Sequence, residues 1–572
     1  MSNFFTDNAA LERVLKHPAL LEIIGMQEGD FGEASRYDFA PRNIEEALAD
    51  YREIMLHMGG ICGEVIAPNA RAVDLQGPRL EQGRVVYAEG TQENHRRMVQ
   101  AGLYGMTLER CFGGLNLPMT LFVMASELVA RADGSFACLW ALQNCAETIA
   151  AFGSEEQKQR YLPQIAAGAT CSMDLTEPDA GSDLQAASLR ASWCETRQCW
   201  LLNGVKRFIT NGDADLKLVL ARSEPTSNDG RGLSLFLVAR SSGGVRVRRL
   251  EKKLGIRGSA TCELVFEDAP AELLGTRRLG LIRYVSSLMN AARLGIGAQA
   301  VGIAEAALRE AETYAAERRQ FGKPIHAITA VAAMLTRMRT HLCASRTLLY
   351  ATARQVDLAR GYSRLQRQRP LTEQEAQHSK EAQLRADLYT PLLKLMAGES
   401  CNRIAYDALQ IFGGAGYMQD FPIERLYRDA RVVTIYEGTS QMQVVAAMKY
   451  VGNGTLSRHL HDLLTTLQES GRQHKEVERL HGLVARYDAM VATVEQGDGE
   501  GMEFHARRIV ECGAMALMSL LGFLETEEQE QLETMRHYLL LSEATFDFHE
   551  RIIGVEGPHQ ESPSYPCSGR ER

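Results

Sequence analysis

The sequence predicts a mostly α-helical protein with a β domain at its centre, and three observations carry that prediction. Apolar residues recur at helical spacing over long stretches toward both ends, as in Leu48, Tyr51, Ile54, Met55 and Met58. Between Thr170 and Leu274 this texture gives way to short apolar runs separated by Gly, Asn, Asp and Ser, the spacing of an antiparallel β domain. The length, 572 residues at 45% hydrophobic content, suits roughly three or four domains with large cores.

Taken in order, residues 1–45 read as an N-terminal appendage. Phe4, Phe5, Leu11 and Leu20–Ile24 are its packing residues, and Glu28–Arg42 is turn-rich. An all-α block over 46–168 follows, interrupted at Cys111–Pro118 and at Gly153-Ser154, where Ser154 and Gln157 form a capping box. The β domain is expected over 169–276, with Asn203–Lys206 as a turn. Helical periodicity returns over Ser286–Arg319, Ala327–Arg360 and Lys380–Phe412, giving a four-helix bundle over 277–452. The polar stretch Gly361–His378 reads as a loop or helix-end insertion. Amphipathic helices over 453–553 form an extension split at Gln496–Gly501, and the tail 554–572, rich in Pro, Ser and Gly, is expected to be disordered.

Composition excludes several function classes. Net charge is −9 and no dense Lys/Arg run occurs, so counterion-release binding to nucleic acid is not expected. The 12 cysteines lack metal-ligand spacing and read as reduced thiols, with no metal site. Met1–Glu12 is polar and no apolar run reaches spanning length, so the expectation is a cytoplasmic protein without a membrane span.

The stretch Leu409–Gln443 concentrates the features that chemistry needs. A glycine cluster (Gly413, Gly414, Gly416) permits close ligand approach, and a lone carboxylate, Glu437, stands between Tyr436 and Gly438. Thr439 and Ser440 read as the cap of a helix that follows. Elsewhere, Thr176–Asp183 (TEPDAGSD) makes a polar turn offering N–H groups and hydroxyls to one ligand, and Phe208–Gly212 sets a hydroxyl and an amide at a strand end. Arg318 and Arg319 end a long helix, where they suit a phosphate or the helix dipole. The match of Gly295–Ala300 to a dinucleotide fingerprint lies inside a helical pattern with no preceding strand, so helix packing explains it better. His459, His461, His474 and His481 lack metal-ligand spacing and read as surface helix residues.

In that order, TEPDAGSD, LNGVKRFITNG, KLGIRGSAT, ERRQFG, QIFGGAGYMQDFPIERLYRD and IYEGTSQ closely resemble the acyl-CoA dehydrogenase family over about residues 45–450. The resemblance implies an N-terminal α domain, a middle β-barrel domain and a C-terminal four-helix bundle. It also implies FAD held without a Rossmann motif, in homodimers or dimers of dimers. By motif, Met173, Leu175, Thr176, Ser182, Phe208 and Thr210 are implied to lie against the flavin, Ser182 also against the acyl-CoA. Arg318, Phe321, Gln410 and Gly414 are implied to reach FAD across the dimer interface, with Thr439 and Gln441 also touching it. Arg293, Tyr436 and Gly438 are implied substrate contacts, and Glu437 the catalytic base.

The implied reaction converts an acyl-CoA thioester to the trans-2-enoyl-CoA: Glu437 takes the α proton, flavin N5 takes the β hydride, and an electron-transferring flavoprotein receives the electrons. Burial must raise the base's pKa against the pull of the helix start at Thr439. Asp174 and Met173 depart from the family's usual residues beside the flavin, and Ala292 occupies the family's other base position, leaving Glu437 without a rival. The insertion and the 456–553 extension resemble a long bacterial subgroup that includes methylmercaptopropionyl-CoA dehydrogenase. Two other readings share the fold: an acyl-CoA oxidase, and a DNA-binding flavoprotein of the alkylation-response type. The second needs a cationic C-terminal region, and residues 456–572 have no cationic run.

Overall fold

The computed structural model describes residues 2–471, 475–496, 499–526 and 528–555. His474 and the tail from residue 556, with its expected disorder, lie outside the described residues. The chain forms two compact units, one of Met1–Met338 with Leu349–Thr439, the other of Arg339–Leu348 with everything from Ser440.

In the larger unit, α1 (Ala9–Leu15) and α2 (Ala19–Glu28) form the appendage, which is tied down rather than loose. Buried Arg110 grips Glu28 through two bonds of 2.7 and 2.9 Å and reaches Glu33 at 2.7 Å. Next come α3 (Ile44–Ile61) and α4 (Ala67–Gln76). The expected all-α block is broken here by a two-stranded hairpin, β1 (Arg79–Glu81) and β2 (Arg84–Val86). Gln82 and Gly83, both at positive φ, turn it, which hydrophobic periodicity could not reveal. The block closes with α5 (Glu89–Gln100), α6 (Met119–Ala132), α7 (Gly134–Trp140), α8 (Cys145–Phe152) and α9 (Glu155–Ala166), the last opened by the Ser154/Gln157 capping box.

Seven strands build the central domain: β3 (Cys171–Asp174), β4 (Arg190–Cys194), β5 (Cys199–Thr210), β6 (Leu216–Arg222), β7 (Leu233–Ala239), β8 (Val245–Leu250) and β9 (Thr261–Leu274). Because β6 pairs with β4 on one side and β7 on the other, the path β6-β4-β5-β9-β7 closes on itself. The sheet is mixed rather than purely antiparallel, since β3 runs parallel to β6 with Asp174 beside Val219. Asn203–Lys206 is not a turn. It lies inside β5, and the expected irregularity appears as two register shifts against β9. Leu202, Phe236, Val238, Leu264 and Phe266 fill the barrel interior.

Beyond the barrel, α10 (Ser286–Glu317) packs along α6, and a short hairpin, β10 (Arg319–Gln320) with β11 (Lys323–Pro324), leads to α11 (Thr329–Gln368) and α12 (Glu373–Phe412). Of the loop or helix-end insertion expected over 361–378, the structure shows the second: only four residues, 369–372, separate the two helices. Strong helix formers carry α11 onward to Gln368, and Thr372 with Glu375 opens α12 by a capping box. A short α13 (Ile423–Ala430) precedes the Glu437 loop.

The smaller unit contains α14 (Ser440–Gly452), α15 (Thr455–Glu469), α16 (Val477–Glu495), α17 (Gly499–Glu525) and α18 (Gln529–Ile553). Tyr487, Phe523 and Tyr538 are buried among them, and Arg479–Glu543 and Arg486–Glu550 link α16 to α18. His459 is buried here, not on the surface, while His461 pairs with Asp488. Among the described residues no helix is long and apolar enough to cross a membrane.

Candidate active site

A cavity of about 430 Å³ in the larger unit brings together α7, α10, the barrel rim and the loop after α13. That loop carries Glu437 into it. Glu437 sits at φ 54° and Gly438 at φ 89°. The left-handed conformation costs a non-glycine residue roughly 1–2 kcal/mol, and two such residues in succession reverse the chain so that a half-buried carboxylate lines the cavity. Burial raises its pKa above the ordinary 4.5, while Lys394 and then Arg293 pull the other way. These two cations oppose the rise. Lys394 is almost fully buried, and burial pushes its pKa down to about 8. Its Nζ donates to the Gly438 carbonyl at 2.5 Å, which fixes the loop from behind.

The facing wall comes from the barrel. Strand alternation turns Met173 and Leu175 into the cavity and Asp174 away from it, so Asp174 does not shape the pocket. Its carboxyl is instead fully buried, pushed up to about 6, and offset by Lys217 and Lys206. The turn bearing Thr176 and Ser182 is held by Glu177. Burial would raise this carboxyl, but Lys206 at 2.8 Å and the N–H groups of Ser188 and Leu189 keep it low. The second shift in β5 places Phe208 at φ 62°, half its ring exposed, with Arg207 stacked over it at 4.6 Å. Thr176, Ser182 and Thr210 line the cavity, and their hydroxyls make no hydrogen bond among the described residues.

The deep end is closed by side chains that sequence reasoning missed. Gln299 donates to the Gly134 carbonyl at 2.9 Å and to Cys138 Sγ at 3.1 Å, and accepts from the Tyr436 hydroxyl. Ser126 on α6 closes the same end, its hydroxyl bonded to the Phe122 carbonyl at 2.8 Å.

Ten of the residues singled out from the sequence therefore line one cavity: Met173, Leu175, Thr176, Ser182, Phe208, Thr210, Tyr436, Glu437, Gly438 and Thr439. Arg293 is half-buried on α10 and bonds Asn290 at 3.2 Å, its field reaching Glu437. Arg318, Phe321, Gln410 and Gly414 do not line the cavity. They are exposed at the joined ends of α10 and α12, where Tyr314 stacks on Phe412 at 4.1 Å, and Phe321 is 91% exposed. Gln441 belongs to the smaller unit, 3.4 Å from Arg507.

Sequence profiles of the acyl-CoA dehydrogenase N-terminal, middle and C-terminal domains match residues 50–169, 172–269 and 282–451, and the profile described as acyl-CoA dehydrogenase C terminal matches 452–555. The 3-methylmercaptopropionyl-CoA dehydrogenase of Ruegeria pomeroyi is 33% identical over 522 residues, 85% of this chain and 82% of that protein. The chain belongs to the acyl-CoA dehydrogenase family. The family's enzymes are FAD-dependent oxidoreductases, and this chain is one of them. Another acyl-CoA dehydrogenase relative, the CarC subunit of the caffeyl-CoA reductase-Etf complex of Acetobacterium woodii, is 35% identical over 62% of this chain and 88% of its own. Among solved structures, the acyl-CoA dehydrogenase complexed with FAD from Bacillus anthracis has the same fold, with a TM-score of 0.73 at 24% identity, covering 89% of both chains. The cavity suits FAD on its own evidence, offering unbonded hydroxyls, an exposed aromatic ring and a largely apolar lining.

Proposed function

We propose that this acyl-CoA dehydrogenase removes the α proton of an acyl-CoA thioester with Glu437. The observation that carries the reading is a carboxylate held at positive φ, desolvated, and aimed into an apolar cavity beside unbonded hydroxyls. A thioester α proton is too weakly acidic for a carboxylate in water, and burial makes Glu437 the stronger base that the step requires. Bound FAD would supply the two-electron acceptor for the β hydrogen, so that the product is the enoyl thioester. Thr176, Ser182 and Thr210 would hold the cofactor's polar groups, and Phe208 would cover a ring face. Small apolar residues on α7 and α10 would take the acyl chain, with water kept out by the Gln299–Cys138–Tyr436 closure.

The surface of Arg318, Phe321, Gln410 and Gly414 would meet a second copy of the chain and contribute to its cofactor site, making the working form a homodimer; the 91% exposure of Phe321 supports this. An electron-transferring flavoprotein is the proposed acceptor, supported by the relative named as part of an Etf complex.

The test is anaerobic bleaching of the FAD-loaded protein by butyryl-, isobutyryl-, octanoyl-, palmitoyl- and 3-methylmercaptopropionyl-CoA. Bleaching by at least one class is expected. A protein with full FAD that none of them bleaches would refute the dehydrogenase reading.

A further inference from the structure

Strands β4 and β5 form a hairpin whose last pair before the turn sets Cys194 directly opposite Cys199. Directly opposed side chains leave a sheet on the same face. That face points away from the barrel interior. The adjoining pair, Trp193 and Trp200, takes the other face, where Trp200 packs on the interior ring of Phe236 at 5.4 Å. Both cysteines are free and half-buried. Opposed residues of an antiparallel ladder stand about 5.5 Å or about 4.5 Å apart at Cα, according to the type of pair. Either separation lies within the roughly 4.4–6.8 Å that a disulfide bridges.

The two thiols differ in their surroundings. The turn over 195–198, which ends with Gln198 at φ 49°, curls back over Cys194. Cys194 Sγ lies 3.2 Å from the Thr196 hydroxyl and accepts the Arg197 N–H. These donors, the hydroxyl first, favour the thiolate and hold the Cys194 pKa below the ordinary 9.0. Exposed Cys111 is pushed the other way, by partial burial and then by the Glu109 carboxylate. An accessible side chain favoured as the thiolate therefore stands across the ladder from a second thiol.

We propose that Cys194 and Cys199 are an oxidation-sensitive dithiol, which hydrogen peroxide or another hydroperoxide converts to a disulfide at the turn end of the β4–β5 hairpin. Cys194 is the attacking thiolate. Its sulfur forms a bond to a peroxide oxygen, the O–O bond breaks, and the departing hydroxide takes a proton to become water, leaving a sulfenic acid on Cys194. The Cys199 sulfur then attacks the Cys194 sulfur. The S–S bond forms, the S–O bond breaks, and the hydroxide leaves as a second water with the Cys199 proton. Two thiols are oxidised to one disulfide while one peroxide is reduced to two waters. The hairpin already holds both residues, so little chain entropy remains to be lost in closing the ring. An exposed disulfide of this kind is also open to reduction by a thiol, which makes the change reversible. The inference stands apart from the acyl-CoA reading, because none of its residues lines the apolar chamber.

The experiment treats the reduced, FAD-loaded protein with hydrogen peroxide, alkylates the remaining thiols and maps the peptides by mass. The peptides of Cys194 and Cys199 should be found joined, with the loss of two hydrogens, and dithiothreitol should restore both thiols. Tryptophan fluorescence should change with the same rate, since Trp193 and Trp200 form the next pair of the ladder and stack edge to face at 5.8 Å. Cys199→Ser should stop the reaction at a Cys194 sulfenic acid that dimedone labels, and Cys194→Ser should abolish rapid oxidation at this hairpin. Thr196→Val should slow the reaction roughly threefold for each tenfold fall in thiolate fraction, the gain in nucleophilicity offsetting the rest. The proposal is overturned if Cys194 is carried to sulfinic acid while Cys199 stays free. It is overturned equally if neither thiol is oxidised before Cys111, or if Cys194→Ser leaves Cys199 reacting at the wild-type rate.

Discussion

Two cavities of the larger unit divide the faces of α10: the apolar chamber, and one of about 610 Å³ that Arg283, Arg360, Arg364 and Arg367 face. Ala292, Gly295, Ile296 and Gln299 look into the apolar chamber, whereas Ser287, Asn290, Ala291 and Leu294 look into the arginine-lined one. Spacings of three and four residues keep each set on one side of the helix. The chambers handle charge in opposite ways. In the first, the Glu437 carboxylate is desolvated and buried Lys394 fixes its loop; in the second, four arginines face three acids, and among the described residues two of the arginines have no ion-pair partner.

The largest effect that tests this division is expected from Glu437→Gln, which keeps the shape and removes the basicity. Flavin reduction by the best acyl-CoA should slow roughly 10²- to 10⁴-fold with FAD still bound, and wild-type reduction rates would place the base elsewhere. Next comes Arg110→Met, which strands Glu28 in the interior. Urea unfolding should report a loss of about 3–5 kcal/mol. An unchanged midpoint would mean that α2, which holds Arg364 of the second chamber through the Gln27 carbonyl, does not depend on this pair.

The smallest effect is the most diagnostic of the first chamber. Reduction requires Glu437 ionised, so its rate should fall as pH drops through a pKa above 4.5. Lys394→Met removes the cation that opposes the rise, so the acid limb should move to still higher pH. The same change leaves the Gly438 carbonyl without its donor and should cost about 1–3 kcal/mol in stability. A limb that stays in place would show that Lys394 holds the loop without tuning the base.

Much of the apolar chamber was legible in the sequence, because its walls are carried by short motifs whose glycines, hydroxyls and acids stand out locally. Its hidden members are those whose roles depend on distant partners. Lys394 lies in the apolar run PLLKLMAG, and nothing local indicates that it reaches Gly438. Gln299 lies among small helix residues and gains meaning only from Gly134, Cys138 and Tyr436. The arginine chamber was not legible at all. Residues 361–368 read as a loop or helix-end insertion, and the structure makes them the end of α11, where Tyr362 and Arg364 bond to α2. Thr372 and Glu375 did carry a readable signal, a capping box that moves the start of α12 upstream of Lys380. In β5, polar residues with a glycine read as a turn, whereas the structure has a register shift at Gly204 and a second, between Lys206 and Ile209, that aims Phe208.

The walls of the apolar chamber lie far apart along the chain, with Cys138 and Cys145 early, Thr176 and Thr210 next, Gln299 later and Glu437 near the end of the larger unit. During synthesis the barrel face that suits the cofactor is therefore complete long before the base emerges, a gap of roughly tens of seconds at ~5–20 residues per second. For that interval the nascent protein has a half-built chamber with no base loop and no Lys394 behind it. A chain truncated before Glu437 would therefore carry the barrel face without the base.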